Sequence, residues 1–253
     1  MPGFANRYDR VRPRPPAALK ELVTGLLQTG RIGTLVDLGS GTGLSTRFWA
    51  DTADQVIGVE PNRAMRSLAQ DLTPQPNVRY VDGSGERTGL PDAVADVVTA
   101  AQSLQWMEPG PTLVEVGRIL RPGGLLCVYE YTGLQTPNWE PEAAWMRVRE
   151  TVRHLHAERG LDAELPRWPV SRDAIEARGV FRFVRDKVVP SLELGDGARL
   201  VDFALSEGNL QTLLAAGATE SDIGLDELRF AAAAMPDPVP WWIDYRVWLA
   251  LRP

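Results

Sequence analysis

Short apolar runs alternate with amphipathic segments along the first half of the chain. The runs with the length and apolar content of buried strands are 34–38, 55–60, 78–81, 95–101 and 125–131. Between them, apolar residues recur at the spacing of one helix face. This alternation predicts an α/β fold that is doubly wound around a mostly parallel sheet, with right-handed crossovers.

Past residue 131 this alternation stops. Residues 132–179 contain a helical run at 142–158. Residues 180–253 contain two strand-like runs, 181–189 and 240–251, with helical segments between them. The pattern is that of one compact domain with more helix in its second half than a minimal sheet domain needs.

The first strand breaks into a loop with glycines at 39, 41 and 43, followed by an amphipathic run. Glycine permits the tight turn and lets the backbone approach a ligand, towards which the N–H groups of the next helix point. The acidic Asp37 precedes the loop and would repel a phosphate. A dinucleotide fingerprint would place its third glycine at Leu44. A tight turn with nothing bound is the alternative.

A second acid ends the next strand. Glu60 follows Gly41 by 19 residues, and an acid at this point can accept hydrogen bonds from two ribose hydroxyls. Gly83-Ser-Gly-Glu86 follows the third strand, where a plain surface turn is the usual outcome for such residues. The alternative is that Ser84 and the amide of Gly85 meet an adenine edge.

On these residues the chain resembles the class I S-adenosylmethionine (SAM)-dependent methyltransferases, within them the type 11 small-molecule branch. The resemblance covers residues 6–131 and implies a seven-stranded Rossmann-like sheet whose last two strands form an antiparallel edge pair. It implies an N-terminal arm and SAM-binding core over 1–131. A helical lid or acceptor segment would follow over 132–179, and residues 180–253 would complete the sheet with a further helical insertion.

Two more segments carry the resemblance. The family has a Gly-(Asp/Ser)-Ala-Glu-x-(Ile/Leu)-Pro segment after the third strand, and this chain departs from it by Gly85 and one extra residue before Leu90. Relatives also carry a Tyr-Asp-x-x-Arg-Pro-like segment that folds over the cofactor, matched here by Tyr8 and Arg12. The alternative for this polar, Pro-rich arm is a flexible terminus.

The end of the fourth strand and the later helical run supply two candidate catalytic residues. Many relatives have His-Trp where this chain has Gln105-Trp106, and glutamine can orient an acceptor but cannot act as a general base. Trp106 could line the pocket or be a plain core residue. His156 falls on the inward stripe of the run 142–158 and could be a base, or a histidine bonded to the backbone.

The candidate cofactor-binding residues belong to the arm and to the loops after the strands. They are Tyr8, Arg12, Asp37, Gly39, Ser40, Gly41, Glu60, Pro61, Ser84, Gly85, Glu86, Ala101 and Gln102.

The composition narrows the partners. The 253 residues carry a net charge of -6, which argues against nonspecific binding to nucleic acid. One Cys and two His make a zinc site improbable, and Cys127 lies in an apolar run typical of the core. We see no signal peptide and no apolar run of membrane-spanning length. We therefore expect a cytoplasmic protein, monomer or homodimer, whose partner is a small molecule.

The resemblance implies an enzyme that transfers a methyl group from SAM to an oxygen or nitrogen of a small-molecule acceptor, secondary metabolites included. Such an in-line displacement needs orientation and exclusion of water. A carboxylate acceptor needs no base, and trans-aconitate methyltransferases have a similar Leu-Gln-Trp segment, so a carboxylate or hydroxyl is favoured. The alternatives are a SAM-binding protein without catalysis and a nicotinamide-dependent oxidoreductase, against which the glycine spacing counts.

Overall fold

The computed structural model describes residues 2–131, 136, 138–161 and 169–253. They form two compact units. The sheet unit comprises residues 14–132, 166–190 and 245–253, and the helical unit comprises residues 1–13, 133–165 and 191–244. Of the predicted lid segment, residues 132–135, 137 and 162–168 lie outside the described residues.

The described strands form one seven-stranded sheet. They are β1 (Ile32–Leu38), β2 (Ala53–Val59), β3 (Val78–Val81), β4 (Ala95–Ala101), β5 (Leu120–Tyr131), β6 (Phe183–Gly195) and β7 (Val239–Leu251). Their order is β3-β2-β1-β4-β5-β7-β6. Strands β1 to β5 pair in parallel, and β7 runs antiparallel to β5. The predicted fold class is confirmed.

The helices are α1 (Pro2–Val11), α2 (Ala18–Leu26), α3 (Leu44–Phe48), α4 (Arg63–Asp71), α5 (Pro109–Ile119), α6 (Trp139–Glu158), α7 (Arg172–Glu176), α8 (Gly197–Leu205), α9 (Gly208–Ala215), α10 (Glu220–Ile223) and α11 (Leu225–Ala233). Their starts follow local chemistry. The Asn62 side chain accepts hydrogen bonds from the first turn of α4, and Pro109 occupies the first turn of α5. Thr219 and Asp222 form a capping box on α10.

The core of the sheet unit is apolar on both faces of the parallel strands, as expected for a doubly wound sheet. Val36, Ile57, Val98 and Leu126 lie one per strand across β1, β2, β4 and β5, and all are buried. These buried runs fix the register in which the strand ends line up. The loops after β1, β2 and β4 consequently leave the same edge of the sheet.

The N-terminal arm is helical. Residues 2–11 form α1 within the helical unit, where the Arg10 guanidinium donates to the Asp202 carboxylate at 2.6 Å. The unit boundaries therefore differ from the predicted segments, because the arm clusters with residues 191–244 through these contacts. None of the described helices is long and apolar enough to cross a membrane.

Candidate cofactor-binding site

A pocket of about 550 Å³ opens in the sheet unit where the strands end. Its wall is built from the loops after β2, β3 and β4 together with the first residue after β1, which is where open α/β sheets bind ligands. The volume is that of a small-molecule site. The lining residues are Gly39, Glu60, Pro61, Ser84, Gly85, Glu86, Gln102, Ser103, Trp106, Met107 and Glu108.

The turn after β1 has a backbone that glycine adopts most readily. Gly39, Gly41 and Gly43 have φ angles of +64°, +55° and +80°. A Cβ on Gly39 would lie 2.7 Å from the Cβ of Ser103, so glycine allows the loop after β4 to approach the turn. A Cβ on Gly41 would meet no atom within 4 Å. The turn therefore has open space at its middle glycine.

Glu60 is a buried carboxylate in the pocket wall and is tied to the glycine turn. One oxygen accepts the Gly41 N–H at 2.9 Å and the other accepts the Asn62 N–H at 2.8 Å. Each carboxylate oxygen can accept a further hydrogen bond. Glu60 thus connects β2 with the turn and keeps acceptor capacity for the two ribose hydroxyls expected from the sequence.

Asp37 is buried within the sheet unit and is absent from the pocket wall as described. Its carboxylate accepts hydrogen bonds from the hydroxyls of Thr99, Thr46 and Ser45 at 2.7, 2.7 and 3.1 Å. Burial raises the pKa of Asp37 to about 6; the three hydroxyls oppose that rise, and the charge of Glu60 adds to it. Asp37 orders α3 against β1 and β4, and a direct cofactor contact by Asp37 stays a prediction.

The loop after β3 makes a tight turn in which Ser84 and Arg87 exchange two backbone hydrogen bonds. A Cβ on Gly85 would lie 2.2 Å from the sulfur of Met107, so the departure from the family's alanine fits a close approach. Further along, Glu115 accepts the Thr88 N–H at 2.8 Å. The Arg118 guanidinium is the main cause that lowers the pKa of Glu115 to about 2. The hydrogen bonds of Glu115 with Thr88 and Arg118 thus hold the end of the loop after β3 against α5.

Two glutamines stand at the end of β4. Gln102 lines the pocket, and its backbone N–H donates to the Tyr129 carbonyl at 3.0 Å. The side-chain amide of Gln105 donates to the Gln102 carbonyl at 3.2 Å, so Gln105 braces the loop and is not itself in the described wall. Ser103 donates to the Leu38 carbonyl at 2.6 Å, which joins this loop to the end of β1.

The structure brings about half of the predicted site residues into one wall. Those that line the pocket are Gly39, Glu60, Pro61, Ser84, Gly85, Glu86 and Gln102. Ser40, Gly41 and Ala101 are chain neighbours of lining residues. Ser103, Met107 and Glu108 also line the pocket without having been named as individual candidates, and their place directly after β4 is the signal that could have found them. Trp106, for which the core was the alternative, lines the pocket and is 46% exposed as a residue.

Tyr8 and Arg12 belong to the helical unit. The Arg12 guanidinium donates to the Ser206 hydroxyl at 2.9 Å and lies over the rings of Tyr8 and Phe203, 4.6 and 4.8 Å from their centroids. Such stacking with hydrogen bonds fixes the end of α1 on α8. Their predicted contact with the cofactor stays a prediction.

His156 is fully buried in the helical unit. Its Nδ1 lies 3.2 Å from the Leu161 carbonyl oxygen and its Nε2 lies 2.8 Å from that of Asn209. Both ring nitrogens therefore face backbone acceptors that join the end of α6 to α9. This geometry favours the alternative of a histidine bonded to the backbone.

The pocket fits a nucleoside cofactor that carries a positive charge. The wall combines a buried carboxylate, Glu60, with the turn of residues 84–86. Of the described lining residues, three are carboxylates and none is Lys or Arg. Such a wall suits a sulfonium cofactor better than a pyrophosphate. The sheet order is that of a Rossmann-like fold, and this pocket is its candidate cofactor site.

Comparison with known proteins narrows the class of protein. Residues 36–128 match the sequence profile of a family described as a methyltransferase domain. The chain is 32% identical over 141 residues to an uncharacterised methyltransferase of Mycobacterium tuberculosis, covering 55% of this chain and 53% of that protein. It is 32% identical over 125 residues to a malonyl-[acyl-carrier protein] O-methyltransferase of Serratia marcescens, covering 49% and 47%.

The fold comparison agrees over nearly the whole chain. A protein of Anaeromyxobacter dehalogenans, proposed to be a type II methyltransferase, superposes with a TM-score of 0.67 at 21% identity, covering 95% of this chain and 97% of that one. The chain spans about half the length of the curated relatives it matches. Over residues 36–128 the chain is thus similar to methyltransferases, and a further relative, 30% identical over 130 residues, is a probable S-adenosylmethionine-dependent methyltransferase of Saccharomyces cerevisiae, covering 49% of this chain and 44% of that protein.

Proposed function

We propose that this chain transfers a methyl group from SAM to an oxygen or nitrogen of a small-molecule acceptor. The observation that carries the proposal is the buried Glu60, which is bonded to the open Gly41 turn in the wall of a pocket of cofactor size. The oxygen class is supported by the Serratia relative, whose name states O-methylation. We also propose a cytoplasmic protein that acts as a monomer or homodimer.

The roles follow from the geometry of the wall. Glu60 accepts the ribose hydroxyls, while Ser84, Gly85 and Glu86 form the turn that meets the adenine. The remaining candidate contacts are Tyr8, Arg12, Asp37, Gly39, Ser40, Gly41, Pro61, Ala101 and Gln102. Gln105 acts by bracing Gln102, and we leave His156 out of the reacting groups because both its nitrogens face backbone carbonyls.

The bound SAM supplies an electrophilic methyl group on a sulfonium. The chain must then hold the acceptor in line and keep water out. Of the described lining residues, only the carboxylates of Glu60, Glu86 and Glu108 could take up a proton, and Glu60 already accepts two backbone N–H groups. The wall therefore suits an acceptor that needs orientation more than deprotonation.

The test is transfer of label. The full chain is incubated with methyl-labelled SAM and a panel of small carboxylates, phenols and amines, and label is followed into the small-molecule fraction alongside S-adenosylhomocysteine. We expect the labelled product and S-adenosylhomocysteine to form in equal molar amounts. Binding of SAM without any transfer across the panel would instead favour the alternative, a SAM-binding protein without catalysis.

A further inference from the structure

Gln102 has a backbone conformation that residues with a side chain rarely adopt. Its φ is +54°, in the left-handed region. The other described non-glycine residues with positive φ, Gln28 and Ala93, are not among the described residues of the pocket wall, whereas Gln102 lines it. A left-handed conformation costs about 1–2 kcal/mol for such a residue. The surrounding contacts must hold it there.

The hydrogen bonds of Gln102 account for three of its four polar groups. The backbone N–H donates to the Tyr129 carbonyl at 3.0 Å, and the side-chain Nε2 donates to the Tyr131 carbonyl at 3.3 Å. The backbone carbonyl accepts from the Gln105 amide at 3.2 Å. Because Nε2 is used as a donor to a carbonyl, the amide orientation is defined. The group that remains is Oε1, which no described residue contacts by a hydrogen bond.

The strand order places Gln102 on one side of the pocket. The ends of β2 and β3, with Glu60 and the Ser84–Glu86 turn, lie on one side of β1, and the end of β4 lies on the other. If Glu60 and that turn hold the nucleoside, the opposite, reacting end of the cofactor lies towards Gln102. This step rests on the proposed function.

We propose that Gln102 is a specificity-determining residue whose fixed Oε1 accepts a hydrogen bond from the acceptor at the reacting end of the pocket. The acceptor then carries its nucleophile as a hydroxyl or an amine, because the fixed amide oxygen needs a donor opposite it. Gln102 takes up no proton in this contact. A neutral amine attacks through its lone pair as the methyl–sulfur bond breaks and carries the positive charge into the product, whereas a hydroxyl passes its proton to one of the lining carboxylates, Glu86 or Glu108. The orienting role that the sequence suggested for Gln105 passes to Gln102.

The test uses two probes that differ at the reacting end. Sinefungin carries an amine in place of the methyl group that SAM transfers, so it offers a donor next to where the nucleophile of the acceptor would lie, and S-adenosylhomocysteine has no donor there. Their dissociation constants are measured by titration calorimetry on the full wild-type chain, Gln102→Met and Gln102→Glu, with circular dichroism to confirm folding. Both variants lose the bond to the Tyr131 carbonyl, but Gln102→Glu keeps an acceptor oxygen. The ratio of the two constants cancels any general effect on the pocket.

We expect the preference for sinefungin over S-adenosylhomocysteine to fall about tenfold in Gln102→Met, the scale of a hydrogen bond to a charged group. In Gln102→Glu the preference should be kept or increased. An unchanged ratio in Gln102→Met, or an equal loss in both variants, would overturn the inference and leave Gln102 a structural residue. Failure of the wild type to bind either probe would instead remove the proposed function, and this inference with it.

Discussion

Asp37→Asn should change how the stability of the protein depends on pH. The carboxylate is buried and is bonded only to hydroxyls in the described hydrogen bonds, those of Ser45, Thr46 and Thr99. A hydroxyl can donate or accept, so an asparagine amide can take the place of the carboxylate without leaving a buried group unpaired. The substitution therefore removes the charge and keeps the shape.

The sign and size of this pH dependence follow from the pKa of Asp37. Burial raises the pKa of Asp37 from its ordinary 3.8 to about 6, so the folded chain holds the proton that the unfolded chain releases. The folded state is therefore stabilised at low pH. The free energy of unfolding falls as the pH rises from the unfolded to the folded pKa of Asp37, by up to about 1.4 kcal/mol per pH unit. The whole loss is about 3 kcal/mol and is complete above the folded pKa.

The assay is equilibrium urea unfolding followed by tryptophan fluorescence, on wild type and Asp37→Asn, from pH 4.5 to 7.5. Titrating groups that do not interact with Asp37 act on both proteins alike, so the difference between the two curves isolates Asp37 together with its coupling to Glu60. We expect the wild type to lose about 2 kcal/mol relative to the variant across this window. Asp71→Asn on the exposed side of α4 is the control. A flat difference for Asp37→Asn would show that the hydroxyls fully offset the burial of the charge.

Three further substitutions test the site and the helical unit. Glu60→Ala should weaken binding of S-adenosylhomocysteine by about 1–3 kcal/mol, since bonds to a charged group are lost; unchanged affinity in a calorimetric titration would refute the ribose role. Gly41→Ala should cost about 1 kcal/mol of stability because the residue has a φ of +55°, and it should also weaken binding of S-adenosylhomocysteine. Undiminished affinity would mean that the turn does not contact this ligand. His156→Ala should lower the melting temperature, because a buried ring and two backbone contacts are lost, while leaving affinity for S-adenosylhomocysteine unchanged; lost turnover at unchanged melting temperature would restore it as a base.

The sheet and the nucleoside side of the site could be predicted from the sequence because their signals are local. A buried parallel strand appears in the sequence as a short apolar run, and the glycines after β1 indicate a tight turn. Glu60 was identifiable because it directly ends such a run. The bounds shifted by a few residues at β1 and β2, and β5 begins at Leu120 because the Pro-Gly-Gly segment is part of the strand.

The remaining parts depend on contacts between residues distant in sequence. The arm is helical and docks through Arg10 and Arg12 onto α8, some 190 residues later, which no local pattern records. Likewise the partners of His156 and the left-handed turn at Gln102 are set by loops from other elements. The sequence could mark these residues as candidates, but the tertiary packing decided which of their atoms are engaged.

The measurement that tests the central claim most directly is calorimetric titration of the full chain with S-adenosylhomocysteine, run beside NAD. We predict micromolar binding of S-adenosylhomocysteine at one site and no binding of NAD, because the described pocket wall carries carboxylates and lacks a cation for a pyrophosphate. Binding of NAD alone would contradict the account, and so would binding of S-adenosylhomocysteine that Glu60→Ala leaves unchanged.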